Sequence, residues 1–335
     1  MQTRSVTPNE AGQRLDKLLT KILNQAPKSF IYKMLRKKNI TLNGKKADGS
    51  EKLAIGDEIT LWLSDETIDK FSQNTILRVR SHLDILYEDR DILVINKPVG
   101  TLSQKAVPSD ISVNEEIISY MLDTHQVTEA DLKSFRPAAC HRLDRNTSGV
   151  LIAGKSLQGL QDMSQLIRQR SVGKYYCCLV CGHVEKGAAI QGYLIKDPAQ
   201  NKVRIIPEGG SSGDYIKTIY EPLASNGTMT LLWVQLITGR SHQIRAHLAA
   251  TGHPIAGDPK YGNEAQNRRL FHAYHLKYQL LHCIQMTMPK DTLRLREISG
   301  MTFRAPLPGK FTDILRGENI TDKVDSHGNL EFKRP

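Results

Sequence analysis

The stretch from His141 to Gly149 reads HRLDRNTSG and places one carboxylate, Asp144, between two arginines. Apolar, β-forming segments lie before and after it, so the stretch is predicted to be a loop between strands. Arg142 and Arg145 favour the ionised form of the carboxylate and offer planar cations to a phosphate or a base. Such a carboxylate suits a nucleophile or base that acts on nucleic acid, although the spacing alone also fits a surface ion pair.

A second polar stretch, residues 237–262, reads ITGRSHQIRAHLAATGHPIAGDPKYG, and its spacing predicts a helix over His242–Thr251. His242, Arg245 and Ala249 share one face of that helix, and Arg240 lies just before its start. A strand that leads through Thr-Gly into a helix is a usual position for a site.

Other kinds of site fit these stretches poorly. Ser241 and His242 would diverge by about 100° on a helix, and the G-x-S-x-G elbow of a hydrolase is missing. His242, His247 and His253 suggest a metal site by residue type, but the first two would diverge by about 140°, which argues against a shared metal ion. A ribonuclease that uses His141 and His242 would lack a convincing acid–base pair, and no Gly-rich loop supports nucleotide hydrolysis.

A lysine and two tyrosines in the segment Lys174-Tyr175-Tyr176 could contribute to a site as well. In a strand the two tyrosines face opposite sides, so one can pack in the core while the other stacks on a base. Two core tyrosines fit the spacing equally well.

Composition narrows the possible partners. The chain has 335 residues, enough for two or three domains, with a formal net charge of +11 and a sequence pI of about 9.3. The charge points to a polyanion, either a nucleic acid or an anionic membrane surface. With no apolar run near 18 residues, no signal-like amino terminus and no acylation motif, we expect a cytoplasmic protein, with nucleic acid as the favoured partner.

The five cysteines are an odd number, which argues for a reducing compartment rather than a disulfide scaffold. Three of them lie in YYCCLVCG, which resembles a buried strand more than a metal site because no second ligand pair stands at zinc spacing. The five cysteines of the chain are Cys140, Cys177, Cys178, Cys181 and Cys283.

We expect four parts along the chain: an amino-terminal module over residues 1–63, a polar linker over 64–80, a large domain over 81–315 and a polar, disordered tail over 316–335. The module carries twelve basic against six acidic residues. Its predicted elements are a helix over 12–23, a helix over 30–38 capped by Ser29, a strand over 40–43, a hairpin at Asn43-Gly44 and a strand over 58–63.

The large domain alternates short apolar runs with turns and lacks a clean βαβ pattern, so it is predicted to be α+β with a mainly antiparallel sheet. The candidate strands cover 83–87, 92–96, 149–153, 175–180, 215–221, 229–236 and 302–304. The candidate helices cover 113–125, 156–170 and 242–251.

The order R-L-D-x-x-L, K-S, a basic helix, L-N-G-K and L-x-x-G-D in the amino-terminal module resembles the S-four-type RNA-binding domain. In that family the second helix and the following loop lie against an RNA backbone. The resemblance therefore implies phosphate contacts from Lys28, Ser29, Lys33, Arg36, Lys37, Lys38, Lys45 and Lys46.

The two polar stretches, K-x-Y at 174–176, Leu-Phe-His-Ala at 270–273 and Arg-Ala-Pro at 304–306 occur in the order seen in RluA-type pseudouridine synthases. Over roughly residues 12–315 the chain is most similar to the RluC/RluD branch, which modifies large-subunit ribosomal RNA. The resemblance implies a mixed, mainly antiparallel sheet with a central cleft, an isomerase that flips a uridine out of the stack, and neither cofactor nor metal. A synthase of transfer RNA and a non-catalytic RNA-binding protein are the alternatives.

Site roles follow from the same resemblance. It implies that Asp144 is the catalytic aspartate, Tyr176 stacks on the base, and Arg245 pairs with the aspartate. The implied substrate contacts are Arg142, which fills the gap left by the flipped nucleotide, Ile244, His141, Arg145 and Arg240. Asn146 stands where many members have Asp, and the segment after Gly100 lacks the family's usual Val-His.

Overall fold

The computed structural model describes residues 1–72, 76–197, 202–206, 213–292 and 294–320. Residues 73–75 of the predicted linker and residues 321–335 of the predicted tail therefore lie outside the described residues. The helices are α1 Leu15–Ile22, α2 Lys28–Arg36, α3 Asp65–Phe71, α4 Val113–Asp123, α5 Leu157–Arg168, α6 Gln243–Ala250, α7 Glu264–Tyr274 and α8 Gly309–Gly317.

The strands form two sheets. They are β1 Gln2–Ser5, β2 Ile40–Leu42, β3 Lys45–Lys46, β4 Glu58–Leu61, β5 Ile85–Glu88, β6 Ile92–Lys97, β7 Ala138–Ala139, β8 Ser148–Gly154, β9 Gly173–Cys181, β10 Ala188–Asp197, β11 Lys202–Ile206, β12 Asp214–Ser225, β13 Met229–Leu236, β14 Leu281–Thr287 and β15 Thr302–Arg304.

Two compact units divide the chain, and the first contains Met1–His82, Asn114–Ala138 and Gly154–Gln161. Its four-stranded antiparallel sheet has the order β1-β4-β2-β3. The apolar faces of α1 and α2 join the core of this unit, as expected from their helical spacing. Asn43 and Gly44 both have positive φ, 51° and 71°, which gives the predicted hairpin turn between β2 and β3.

The cap predicted for the second helix was wrong, and the predicted linker contains a short helix. Ser29 does not cap α2, because that helix already begins at Lys28 after Pro27, whose φ of −58° turns the chain into it. The predicted linker is partly helical, because the side chain of Ser64 accepts a hydrogen bond from the Thr67 amide at the start of α3. Ile68 on this helix is buried in the core of the first unit.

The second unit consists of the remaining described residues. Its sheet of eleven strands has the order β11-β10-β12-β13-β9-β14-β8-β6-β5, with β15 on β14 and β7 on β8. Where the residue-by-residue pairing of two neighbouring strands is defined, the strands are antiparallel in all cases but one. The exception is the short parallel pairing of β14 with β8. The expected α+β class with a mixed, mainly antiparallel sheet is confirmed.

Several elements were missed from the sequence, among them β10, β14, α7 and α8. Strand β14 has the burial pattern of a central strand, yet it contains His282 and Gln285, which interrupt the apolar run. These two side chains are buried with hydrogen-bond partners, and such pairing is not visible in a local pattern. None of the helices in the described ranges is long and apolar enough to cross a membrane.

Candidate active site

A pocket of about 530 Å³ opens in the second unit beside the loop that carries HRLDRNTSG. The loop between β7 and β8, the end of α5, strand β9 and the connection from β13 into α6 all contribute side chains to its lining. The two polar stretches and the K-x-Y segment, which are well separated along the chain, therefore meet in one place.

Asp144 lies in this loop with 28% of its side chain exposed. Lys97, a fully buried lysine at the end of β6, forms hydrogen bonds with the backbone of this region. Its ammonium donates to the carbonyls of Pro98 at 2.8 Å, Thr101 at 2.7 Å and Arg145 at 3.1 Å. Because charged donors make the stronger hydrogen bonds, this buried ammonium fixes the backbone beside Asp144.

Arg245 of α6 joins Asp144 to a second carboxylate. Its Nη1 donates to Asp144 Oδ2 at 2.8 Å, while Nε and Nη2 donate to the two oxygens of Asp258 at 2.7 and 2.9 Å. Burial raises the pKa of Asp258, but the Arg245 hydrogen bonds and charge outweigh it and hold the pKa below its ordinary value. Burial lowers the pKa of Arg245, and the two carboxylates more than reverse this. Sequence reasoning missed Asp258, although it lies in the second polar stretch.

His242 is a further neighbour of Asp144 that the role assignment missed. Its Nε2 lies 3.9 Å from Asp144 Oδ2, and its Nδ1 lies 3.0 Å from the hydroxyl of Tyr261. His242 precedes α6 with a φ of 56°, a left-handed conformation that a residue with a β-carbon rarely adopts. The predicted helix over 242–251 therefore begins one residue later, and the turn directs the imidazole towards the pocket.

Tyr175 and Tyr176 face opposite sides of β9, as the strand alternation predicts, and only Tyr175 belongs to the core cluster. Tyr175 packs in the core against Trp233, with 5.4 Å between ring centroids. Tyr176 lines the pocket and is only 6% exposed. Burial raises the pKa of Tyr176, and the neighbouring Cys283 thiol raises it further, so the phenol stays neutral.

The pocket lining is strongly cationic. Asp144 is its one carboxylate, whereas six lining residues carry a lysine or arginine side chain: Arg142, Arg168, Arg170, Lys174, Arg240 and Arg245. Two of the predicted contacts, Arg142 and the apolar Ile244, lie in this lining. Arg240 lies there too and pairs with Asp214 at 2.9 Å. The excess of positive charge suits a ligand with several negative charges.

Arg145 and His141 differ from the other predicted contacts. Arg145 is exposed and lies outside the pocket lining. His141 lines the pocket, but its Nε2 accepts a hydrogen bond from the Ile152 amide at 3.1 Å. Burial lowers the pKa of His141 to about 3, with a smaller contribution from Lys174. A neutral, backbone-bound imidazole is a poor general acid, which weakens the ribonuclease alternative.

The histidines considered for a metal site point in different directions. His242 contacts Tyr261, His247 pairs with the hydroxyl of Thr218 at 3.0 Å, and His253 lies 3.2 Å from the carbonyl of Cys181. In the part of the chain that the structure describes, no three His, Cys, Asp or Glu side chains are grouped to hold a metal ion.

The predicted RNA contacts of the first unit lie on and after α2. All eight residues are exposed, and among the described residues none forms an ion pair with a carboxylate. They therefore leave an unneutralised basic surface on this unit: Lys28, Ser29, Lys33, Arg36, Lys37, Lys38, Lys45 and Lys46.

Comparison with known sequences gives consistent matches to the two units. A family model described as RNA pseudouridylate synthase matches residues 91–250, and an S4 domain model matches residues 13–59. Ribosomal large subunit pseudouridine synthase C of Vibrio vulnificus (strain CMCP6) is 34% identical over 293 residues, which cover 84% of each chain. The protein of that name from Escherichia coli (strain K12) is 34% identical over 279 residues, 80% of this chain and 82% of its own.

Solved structures share the fold. Human RNA pseudouridylate synthase domain containing 4 matches with a TM-score of 0.57 and 22% identity, over 70% of this chain and 93% of its own. The fold, the sequence relatives and the pocket agree. The chain therefore belongs to the RNA pseudouridylate synthase family, and it is an isomerase of RNA uridine with an S4 domain near its amino terminus.

Proposed function

We propose that this pseudouridine synthase acts on large-subunit ribosomal RNA, with Asp144 as its catalytic carboxylate. The similarity to relatives named for the ribosomal large subunit, over more than four fifths of the chain, supports the substrate. The observation that carries the site is the Asp144–Arg245–Asp258 network, which places one carboxylate in a pocket whose other charged lining residues are lysine and arginine.

Uridine must leave the base stack to reach this pocket, at a cost of a few kcal/mol. In the proposal Arg142 occupies the gap in the RNA and the ring of Tyr176 stacks on the extruded base, with about 1–3 kcal/mol from stacking. Ile244 packs beside that base, and Arg240 contacts the backbone. Arg245 holds Asp144 Oδ2, while Oδ1 has no hydrogen-bond partner among the described residues and is the oxygen that faces the substrate.

We assign residues 1–63 to the RNA-binding domain, 64–80 to a linker, 81–315 to the catalytic domain and 316–335 to a tail. The exposed basic residues on and after α2 supply salt-dependent affinity for the RNA backbone without reading sequence. His141 in the pocket lining and the exposed Arg145 outside it complete the proposed set of substrate contacts. A ribosomal RNA substrate favours a cytoplasmic location for the reaction.

The test is pseudouridine mapping of ribosomal RNA from cells that lack this protein. Carbodiimide adducts read by primer extension locate each site, and wild-type and Asp144→Asn copies are then returned to the cells. We expect specific large-subunit sites to disappear and to be restored by the wild-type copy alone. Conservative replacement of the carboxylate by an amide keeps the shape of the residue and removes its charge.

Two results would contradict the proposal. Unchanged ribosomal sites together with lost transfer RNA sites would assign the substrate to transfer RNA. Restoration by the Asp144→Asn copy would show that the carboxylate is not needed, and the chain would then act as an RNA-binding protein at these sites.

A further inference from the structure

Lys174, on strand β9, is the most buried cation of the pocket after Arg245. Its residue is 7% exposed, and its ammonium lies 3.4 Å from the position that a β-carbon on Gly239 would occupy. Lys174 and Tyr176 are two positions apart on one strand, so their side chains leave the same face of the sheet. Both line the pocket.

The ammonium of Lys174 has no partner among the described residues. No hydrogen bond or ion pair joins it to any of them, and the ionisable groups that act on its pKa are the buried Cys283 thiol and Arg170, neither of which is a carboxylate. Burial lowers the pKa of Lys174, and the charge of Arg170 adds to this effect. A buried, unpaired cation costs stability, so its presence in the pocket points to a ligand with negative charge.

Lys97 shows how this fold satisfies a buried lysine that has a structural role. It is fully buried, and its ammonium donates to three carbonyl oxygens at 2.7 to 3.1 Å. Both lysines lie in the second unit, so they can be compared directly. Lys97 has its partners in the protein, whereas the partner of Lys174 has to come with the substrate.

We propose that Lys174 binds a carbonyl oxygen of the flipped uracil and stabilises the negative charge that this ring carries during isomerisation. This inference rests on the proposed function, in which the base stacks on Tyr176. It adds a substrate-contacting cation to that site.

The reaction places charge on the ring whichever way Asp144 acts. If the bond between N1 and C1′ breaks, its electron pair passes to the ring and spreads over N1, O2 and O4, while C1′ is bonded to Asp144 or the ribose has given it a proton. If Asp144 instead adds to C6 of the ring, the electron pair of the C5–C6 double bond moves to O4, and the N1–C1′ bond breaks later with its electron pair passing to N1. In each route C5 bonds to C1′, the bond to Asp144 breaks or the ribose recovers its proton, C5 loses its proton and N1 gains one. Lys174 keeps its own protons throughout and donates a hydrogen bond.

A backbone phosphate is the other anionic group of RNA, and the geometry disfavours it. Phosphates lie on the ribose chain outside a flipped base, where the exposed Arg142, Arg168 and Arg170 are placed to meet them. The deep position of Lys174 next to Tyr176 suits the part of the nucleotide that enters furthest, which is the base.

The test compares wild type, Lys174→Met and Asp144→Asn in single-turnover reactions with an RNA fragment that spans the mapped uridine. Removing a donor aimed at developing charge lowers such rates by about 100- to 1,000-fold, and we expect this loss for Lys174→Met with unchanged RNA affinity. With 5-fluorouridine at the target position, Lys174→Met should cause a smaller loss of rate, because the electron-withdrawing fluorine at C5 itself stabilises the negative charge of the ring. Nuclease digestion and mass spectrometry follow the disappearance of the N-glycoside.

Thermal unfolding separates this role from a structural one. Replacing an unpaired buried charge by an apolar side chain of similar length is neutral or stabilising, so Lys174→Met should melt at or above the wild-type temperature. The matched control Lys97→Met should melt lower, because it removes the three hydrogen bonds from the ammonium to the carbonyl oxygens.

Three results would overturn the inference. They are a lower melting temperature for Lys174→Met, an equal loss of rate with uridine and 5-fluorouridine, or a loss that disappears when methylphosphonates replace the phosphates beside the target. The last would assign Lys174 to a phosphate. A wild-type rate for Lys174→Met with an inactive Asp144→Asn rejects only this inference, whereas an active Asp144→Asn rejects the proposed function itself.

Discussion

Replacing Asp258 by Asn tests whether the buried carboxylate positions Arg245 for its contact with Asp144. The two side chains are 0% and 5% exposed and share two hydrogen bonds, at 2.7 and 2.9 Å. Asp258 Oδ1 also accepts the amides of Lys260 and Tyr261. Asp258 therefore accepts four hydrogen bonds, two from Arg245 and two from backbone amides. An Asn side chain has only one oxygen for these four donors, and its NH₂ group would face an N–H group of Arg245 or one of the amides.

Breaking one side of a buried ion pair costs about 3–5 kcal/mol. Arg245 keeps its hydrogen bond to Asp144, so we expect the lower value, about 3 kcal/mol, which lowers the melting temperature by roughly 6–12 °C. A shift of about 1 Å in the aim of a catalytic group costs about 100-fold in rate, and we expect a loss of this size in kcat with little change in KM.

The assay measures release of tritium from RNA labelled at C5 of uridine, well below the melting temperature of the variant. Asp214→Asn is the matched control, because Asp214 also pairs with a pocket arginine but is half exposed, and exposed pairs contribute only about 0–1 kcal/mol. A folded Asp258→Asn enzyme with the wild-type rate would refute the positioning role of the network.

Three further predictions concern the sheet and the base-binding face. Gly149→Ala should prevent folding of the catalytic unit, seen as loss of near-ultraviolet dichroism, because a β-carbon there would lie 2.1 Å from the Cys283 carbonyl oxygen at a φ of +108°. Tyr176→Phe should keep most activity in the tritium assay and Tyr176→Ala should lose most of it, because in the proposed function the aromatic ring, and not the hydroxyl, stacks on the base. Burial lowers the pKa of His282 from 6.5 to about 4, so it contributes stability above pH 6.5 that is lost as pH falls towards 4, and His282→Gln should weaken that pH dependence in thermal melts.

Each of these has a result that would contradict it. A folded Gly149→Ala protein would mean that β8 and β14 can separate without loss of the unit. A large defect in Tyr176→Phe would give the hydroxyl a role of its own. An unchanged pH dependence in His282→Gln would assign the acid sensitivity to other buried groups, such as His247, whose pKa burial also lowers to about 4.

Local sequence patterns were sufficient where neighbouring residues define the feature. The strand alternation predicted that Tyr175 and Tyr176 diverge, and the hairpin signal at Asn43-Gly44 predicted the turn. The helical spacing of α1 and α2 predicted their buried faces. The motifs of the two polar stretches indicated the family on their own, because each contains several functional residues close together in the chain.

The rest depends on pairings that no local pattern contains. Arg245 meets Asp144 across 101 residues and Asp258 across 13, and either carboxylate alone resembles an ordinary surface charge in the sequence. His242 was assigned to a helix face, but its left-handed backbone places it before the helix. Strand β14 is buried with polar residues whose partners come from β8 and the segment around Ala305.

The parallel pairing of β8 with β14 has a consequence for synthesis of the protein. Ser148, which follows the catalytic loop, and His282, its hydrogen-bond partner, are 134 residues apart. Translation at about 5–20 residues per second separates their emergence by about 7 to 27 seconds. Throughout that interval β8 lacks β14, although β6 and β7 are already made, and the segment from β13 to α6 that supplies Arg245 arrives only late in it. For most of that interval, the unfinished chain therefore carries Asp144 without the arginine that binds it in the folded protein.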